Sequence, residues 1–175
     1  INMNNFFVLN EIGFIGVDNF RSRAYLQMLY KNSILVSKII IIGKKNKKKY
    51  EFKDTSNFFD YNKSIEALYS KININIINTG CKSINSNIIK KLLGKSCQKY
   101  YIYSGIPGEV ISEKIININK KFIHIHPGRV PQYKGSTTHY YYLFKKRKIV
   151  LTALFLNKII DSGEIIDIKE YLLPR

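Results

Sequence analysis

The sequence predicts one Rossmann-like α/β domain, a mostly parallel twisted sheet flanked by helices, and three observations carry that prediction. Strand-like apolar runs alternate with amphipathic segments along the chain, the order in which strand–helix–strand units assemble a parallel sheet. The run at 34–42 is too rich in isoleucine to be exposed on both faces. A length of 175 residues with 45% hydrophobic content supports one core, and neither an internal repeat nor a linker divides it.

Taken in order, residues 6–9 read as a first strand. In 19–31, Tyr25, Leu26, Met28, Leu29 and Tyr30 recur at helical spacing, and 34–42 follows as the second strand. Residues 43–50 hold five lysines and little apolar content, which predicts a solvated loop. Isoleucine alternating with asparagine predicts a strand over 72–77. Ile84, Ile88, Ile89, Leu92 and Leu93 place a helix over 83–93, with Ser83 as its cap and Gly94 after its end. A strand at 100–103 runs into the turn Ser104-Gly105-Ile106-Pro107-Gly108, a short helix covers 109–116, and the next strand is 122–125. Beyond the Gly-, Pro- and Thr-rich stretch 127–138, an aromatic segment to Lys146 reads as core packing with a charged loop after it. A strand at 149–156, a loop to Gly163 and a last strand through Ile168 complete the pattern.

Composition excludes several classes of protein. The longest apolar runs, such as 39–42 and 153–156, fall far short of the roughly 18–20 residues that cross a bilayer, and the N-terminus has no charged-then-apolar signal pattern. No membrane association is expected. Cys81 and Cys97 show no CxxC spacing, which predicts two reduced thiols and a cytoplasmic location. The formal charge of +17 would suit a polyanionic partner. It arises, however, from 24 Lys against 5 Arg in a chain that also holds 30 Ile and 17 Asn, all residues of A/T-rich codons, so coding bias accounts for much of it. Acidic small substrates, nucleotide-linked ones included, would still be attracted.

Two of the three histidines fall in His124-Ile125-His126-Pro127, at the carboxyl end of a predicted strand, the edge where doubly wound sheets bind ligands. Side chains at i and i+2 of an extended strand point to one side, so His124 and His126 converge if the strand stays regular. Pro127-Gly128 breaks the strand, Pro131 and Gly135 shape a turn-rich loop, and 35 positions after His126 comes Asp161-Ser162-Gly163 between two apolar strands. Alone, an HxH pair fits structural histidines and an Asp-Ser-Gly fits a turn. Together they offer an aspartate that fixes an imidazole tautomer and stabilises the protonated ring.

The segments FIHIHPGRVPQYKG (122–135) and LNKIIDSGEII (156–166) resemble the folate-dependent formyltransferases. That family includes glycinamide ribonucleotide, methionyl-tRNA and nucleotide-sugar N-formyltransferases, and its pattern is Asn-x-His-Pro, a loop with Pro and Gly, then Asp-x-Gly before a strand. The strand at 100–103 with Ser104-Gly105-Ile106-Pro107 also resembles the stretch before the motif that helps form the folate pocket, while the N-terminal half is only compatible with the fold. The resemblance implies that 1–175 is one formyltransferase-like catalytic domain that moves a formyl group from 10-formyltetrahydrofolate to a primary amine, without a metal. His126 stands at the position of the family's catalytic histidine, implied to stabilise the developing oxyanion and shuttle protons. Asp161 stands at the aspartate position and would orient that imidazole or a water serving it. Backbone groups at Ile106, Pro107 and Gly108 and at Leu156, Asn157 and Ile160 are implied to hold the pterin. One position departs: His124 occupies the place where the family usually has asparagine, and an imidazole N–H can donate to an oxyanion much as an amide does.

The favoured acceptor is a small amino sugar, nucleotide-linked, whose phosphates the basic surface would help collect. The loop Gly135-Ser136-Thr137-Thr138 and His124 do not match a glycinamide ribonucleotide enzyme closely, and methionyl-tRNA enzymes normally carry a further C-terminal domain for which 175 residues leave no room. Glycinamide ribonucleotide or methionyl-tRNA formyltransferase is the alternative, and a homodimer is left open. Two other classes compete. A metal-dependent hydrolase would use the HxH pair with Asp161 or His139 as N/O ligands, though no fourth Cys or Glu sits at ligand spacing. A nucleic-acid-binding module would stack bases on Tyr140-Tyr141-Tyr142-Leu143-Phe144 beside Lys145-Lys146-Arg147-Lys148.

Overall fold

The computed structural model describes residues 6–43, 59–135 and 137–173. The lysine-rich stretch expected to be a loop therefore lies, from residue 44 onward, outside the described residues. In chain order the elements are β1 (Phe7–Val17), α1 (Phe20–Lys31), β2 (Ile34–Ile42), α2 (Ile65–Leu68), β3 (Asn75–Asn78), α3 (Asn87–Gly94), β4 (Tyr100–Ser104), α4 (Glu113–Ile116), β5 (Lys121–His126), α5 (Thr138–Lys146), β6 (Lys148–Phe155) and β7 (Ile165–Leu172). They build one seven-stranded sheet ordered β3-β2-β1-β4-β5-β6-β7. The first five strands in that order run parallel and β6 and β7 pair antiparallel, so the sheet is mostly parallel.

Strand alternation divides the core. Ile39 and Ile41 of β2 pack with Phe14, Leu26, Leu35 and Tyr69 on one face. Ile40 and Ile42 pack with Ile15, Ile89, Leu93, Tyr101 and Phe122 on the other. An isoleucine run buried on both faces is what a central parallel strand requires. Asn19 caps α1 by accepting from the Ser22 N–H at 3.0 Å, satisfying one of the donors that a helix start leaves over.

The chain begins at β1, builds outward through β2 and β3, then returns to lay β4 on the other flank of β1. That reversal opens a crevice at the carboxyl edge between β1 and β4. Here β1 and β4 approach so closely that a Cβ on Gly16 would collide with the Ser104 carbonyl. Arg21, on the first turn of α1, spans the crevice to Ser104 Oγ (3.1 Å) and the Gly105 carbonyl (2.8 Å).

Several expectations need correction. β1 does not stop at residue 9 but continues to Val17, because a register shift between Leu9 and Gly13 absorbs the polar interruption. Ser37 Oγ lies 3.0 Å from the Asn10 and Ile12 carbonyls and supports that irregularity. The third helix starts at Asn87 with Ser86 as its cap, not at Ser83. Ser83 is turned aside: its hydroxyl bonds Glu109, and Glu109 also takes the Ile84 N–H at 3.2 Å. The same contacts shorten the helix expected over 109–116 to Glu113–Ile116, since Asn85 holds the Val110 carbonyl and the Ser112 N–H. β3 begins at Asn75 rather than 72, and β7 runs on to Leu172. The aromatic segment is a helix, α5, and not core packing throughout: Tyr142 is buried, while Tyr140, Tyr141 and Phe144 are exposed. Helical spacing turns only one face inward.

Candidate active site

β5 ends in His126, and Pro127-Gly128 turns the chain away from the sheet. The residue opposite His126 on β6 is Thr152, fully buried. Its hydroxyl donates to the Gly128 carbonyl at 2.6 Å and lies 3.5 Å from the Val130 N–H, fixing the start of the loop. The loop then folds back so that His126 Nε2 meets the Tyr133 carbonyl at 2.7 Å. A carbonyl only accepts, so Nε2 carries the proton and Nδ1 is the ring atom left to act as an acceptor. Gly128 makes this contact feasible, because a Cβ there would lie 2.6 Å from the Tyr133 carbonyl and 2.7 Å from His126 Nε2.

Asp161 arrives from the β6–β7 connection in a left-handed backbone conformation, φ 48°. Gly163 permits the return into β7, since any side chain there would overlap the Phe155 carbonyl of β6. Asp161 Oδ2 accepts from the Gly135 N–H at 2.8 Å and stands 3.3 Å from His126 Nδ1. That separation lies within ion-pair range but is longer than the ~2.7–2.9 Å of a charge-assisted hydrogen bond. Asn157 steadies the connection by accepting from the Ile159 N–H (2.8 Å) and Ser162 Oγ (3.1 Å).

His124 and His126 lie on the same side of β5, ring centroids 6.4 Å apart. One ligand-capable atom from each of His124, His126 and Asp161 falls within 4.8 Å of the others. Burial pushes the His124 imidazole down to about 4; the nearby Asp161 charge opposes that shift, while Arg21 and His126 reinforce it and a hydrogen bond to the Tyr103 backbone works against it. At neutral pH the ring is uncharged, with one nitrogen a donor and the other an acceptor.

All nine residues singled out from the sequence, namely Ile106, Pro107, Gly108, His124, His126, Leu156, Asn157, Ile160 and Asp161, line one cavity of about 480 Å³ at the carboxyl edge of the sheet. Arg21, Tyr103 and Glu109 line it as well and escaped the sequence reading. Arg21 had a usable signal, a cation just after the first strand of a doubly wound pattern. Tyr103 and Thr152 had none beyond strand alternation. His139, weighed as a metal ligand, is not part of the cluster.

The half-buried His124 has a measurable consequence. Its folded pKa of about 4 lies below the ordinary 6.5. The unfolded chain therefore binds this proton first, and stability from this group is complete above pH 6.5 and declines as pH falls toward 4, by about 3 kcal/mol in all. Urea midpoints at pH 7 and 4.5 should separate more for the wild type than for His124→Asn. Parallel losses would remove the histidine as the cause.

The chain has the fold of the folate-dependent formyltransferases. Two solved structures of different acceptor specificity illustrate it. The phosphoribosylglycinamide formyltransferase of Bacillus halodurans is 12% identical and matches with a TM-score of 0.63, over 93% of this chain and 80% of that one. WlaRD, a sugar 3N-formyltransferase crystallised with dTDP and 5-N-formyl-THF, is 20% identical with a TM-score of 0.56, over 94% of this chain and 53% of that one. A sugar N-formyltransferase of a Shewanella species matches similarly, at 15% identity and a TM-score of 0.57, over 94% and 58%. This chain spans little more than half the length of those two sugar enzymes. The sequence matches no family model and no curated protein.

Proposed function

We propose that the protein is a cytoplasmic N-formyltransferase that moves a formyl group from 10-formyltetrahydrofolate to a primary amine, with a nucleotide-linked amino sugar as the favoured acceptor. The observation that carries this reading is the His126 Nδ1–Asp161 Oδ2 pair at 3.3 Å, placed with the sequence-singled residues on one cavity of a formyltransferase fold. The cavity suits a flat, partly apolar donor: Ile106, Pro107, Leu156 and Ile160 offer apolar wall beside the backbone of two loops. These residues would hold the folate, which supplies the activated formyl carbon.

The protein's own part is proton handling. Nε2–H is committed to the Tyr133 carbonyl, so Nδ1 receives the proton from the attacking amine. Asp161, held by the Gly135 N–H, stabilises the imidazolium that results, and the same atom returns the proton to the departing nitrogen. No helix among the described residues is long and apolar enough to cross a membrane.

The likeness to WlaRD and the basic chain, which favours a phosphate-bearing substrate, support the amino-sugar acceptor. The test is folate release from 10-formyltetrahydrofolate in the presence of separate amines. Turnover is expected with a nucleotide amino sugar. Turnover with glycinamide ribonucleotide alone would reassign the acceptor, and no turnover with any amine would sink the enzymatic reading.

One observation favours a second reading. The His124, His126 and Asp161 ligand atoms within 4.8 Å are an N/N/O set that a zinc-like cation accepts. Stoichiometric metal in the purified protein, with activity lost on chelation, would favour it. The commitment of His126 Nε2 to Tyr133 leaves only Nδ1 for a cation, on the side already facing Asp161.

A further inference from the structure

The sheet ends at β7, which pairs with β6 along one side and with no described residue along the other. Neither face is covered: no residue of Ile165–Leu172 is buried, and Ile165, Ile166, Tyr171 and Leu172 are 42–79% exposed. The strand has no proline or glycine to blunt its edge. Lys169, a residue type that guards edges by its charge, is offset by Asp167 at 3.5 Å. The Ile168 N–H donates to the Asp167 side chain at 2.8 Å, so this amide points away from β6. An open backbone edge flanked by exposed apolar residues is a template for another strand.

Charge selects which strand. About a two-fold axis at Ile168, two antiparallel copies of β7 set Asp167 of each opposite Lys169 of the other. The outward N–H and carbonyl of Ile168 then exchange bonds with their own equivalents. Moving the axis by one residue either way lays Asp167 on Asp167 or Lys169 on Lys169, which is repulsive. The favoured axis also lies near the middle of the strand, so the Ile165–Ile166 end of each copy runs beside the Tyr171–Leu172 end of the other and the exposed apolar residues cover one another.

We infer that β7 is an interface with a second copy of this chain, the two sheets joining edge to edge through antiparallel β7 strands. No β7 residue lines the cavity, so the interface and the formyl-transfer reading stand or fall separately.

Sedimentation velocity of the wild type should show a reversible dimer within ~1–100 µM, as a small interface of one strand from each copy implies. Lys169→Asp places like charges opposite each other at two symmetric positions and should weaken the dimer at least ~10-fold. Asp167→Lys should do the same, although it raises the net charge of +17 where Lys169→Asp lowers it, so a general charge effect would move the two in opposite directions. Both side chains are more than half exposed, and the melting temperature should stay near that of the wild type in each. The double variant Asp167→Lys/Lys169→Asp restores opposite charges across the axis and should recover the wild-type Kd. A wild type that stays monomeric through that range, single variants that dimerise like the wild type, or a double variant no tighter than the singles overturns the inference.

Discussion

His126→Ala is expected to lower the rate of folate release by ~10²–10⁴-fold, the loss usual when a positioned general acid–base is removed. The ring is almost fully buried, and both its nitrogens are engaged, Nε2 with the Tyr133 carbonyl at 2.7 Å and Nδ1 with Asp161 at 3.3 Å. His124 also lines the cavity near Asp161, but there burial outweighs the Asp161 charge and holds the imidazole down to about 4, a weaker base than the proton transfer calls for. Truncation also strands the Tyr133 carbonyl, so the variant loses stability as well as rate, and a second substitution separates the two effects. Asp161→Asn keeps the size of the side chain and an oxygen for the Gly135 N–H. It turns an amide donor toward Nδ1 and blocks the lone pair that must take the proton. Folate release should fall at least ~100-fold while the melting temperature stays near that of the wild type. If His126 and Asp161 act as one unit, the double variant should lose scarcely more than the worse single variant. Wild-type kcat/KM in either single variant would remove the pair from the chemistry.

Which parts of this arrangement were legible depended on whether the deciding contact was local. The isoleucine run at Ile34–Ile42 marked β2 to the residue because burial on both faces leaves an unbroken apolar string. The extent of β1 was hidden: Asn10, Glu11 and Gly13 break the alternation, and only β2 and β4 on either flank carry the strand through them. Ser83 and Ser86 are equally good caps by type, and the choice is made by Glu109, far along the chain. At the site, the order of the histidine and aspartate motifs encodes two neighbouring connections on one sheet edge, so those residues could be placed together. Tyr103 could not, since which neighbours flank β4 is a property of strand order; Arg21 had a signal in its place after β1, but its partners Ser104 and Gly105 come from that same order. Density of aromatic residues also misleads where period decides, as in α5, where Tyr142 alone of its neighbours packs inward against Tyr133, centroids 5.0 Å apart.

The largest effect on stability is expected at Asp18, which follows β1 and precedes α1. Arg23 is 2% exposed and Asp18 7%, and they form a two-pronged pair, Nε to Oδ1 at 2.6 Å and a terminal nitrogen to Oδ2 at 3.0 Å. The third arm of Arg23 donates to the Tyr61 carbonyl at 2.8 Å, tying the turn after β1 to the stretch ahead of α2. Asp18→Ala removes the carboxylate and leaves the guanidinium charge in a buried site, which costs about 3–5 kcal/mol. Arg23→Met leaves the opposite charge and should cost a similar amount. Replacing both at once removes the unbalanced charge, so the double variant should be less destabilised than the sum of the singles, and even than either alone. Urea midpoints with unchanged slope would measure each. A loss below about 1 kcal/mol in Asp18→Ala would mean that water reaches the guanidinium and that the pair behaves as a surface contact. The pair also has a functional reach, because Arg21 sits on the same first turn of α1 and holds the Ser104–Gly105 end of β4. In Asp18→Ala, loosening of that turn should weaken 5-formyltetrahydrofolate binding even at temperatures where the variant is fully folded. Wild-type affinity in the folded variant would show that Arg21 keeps its place without the pair.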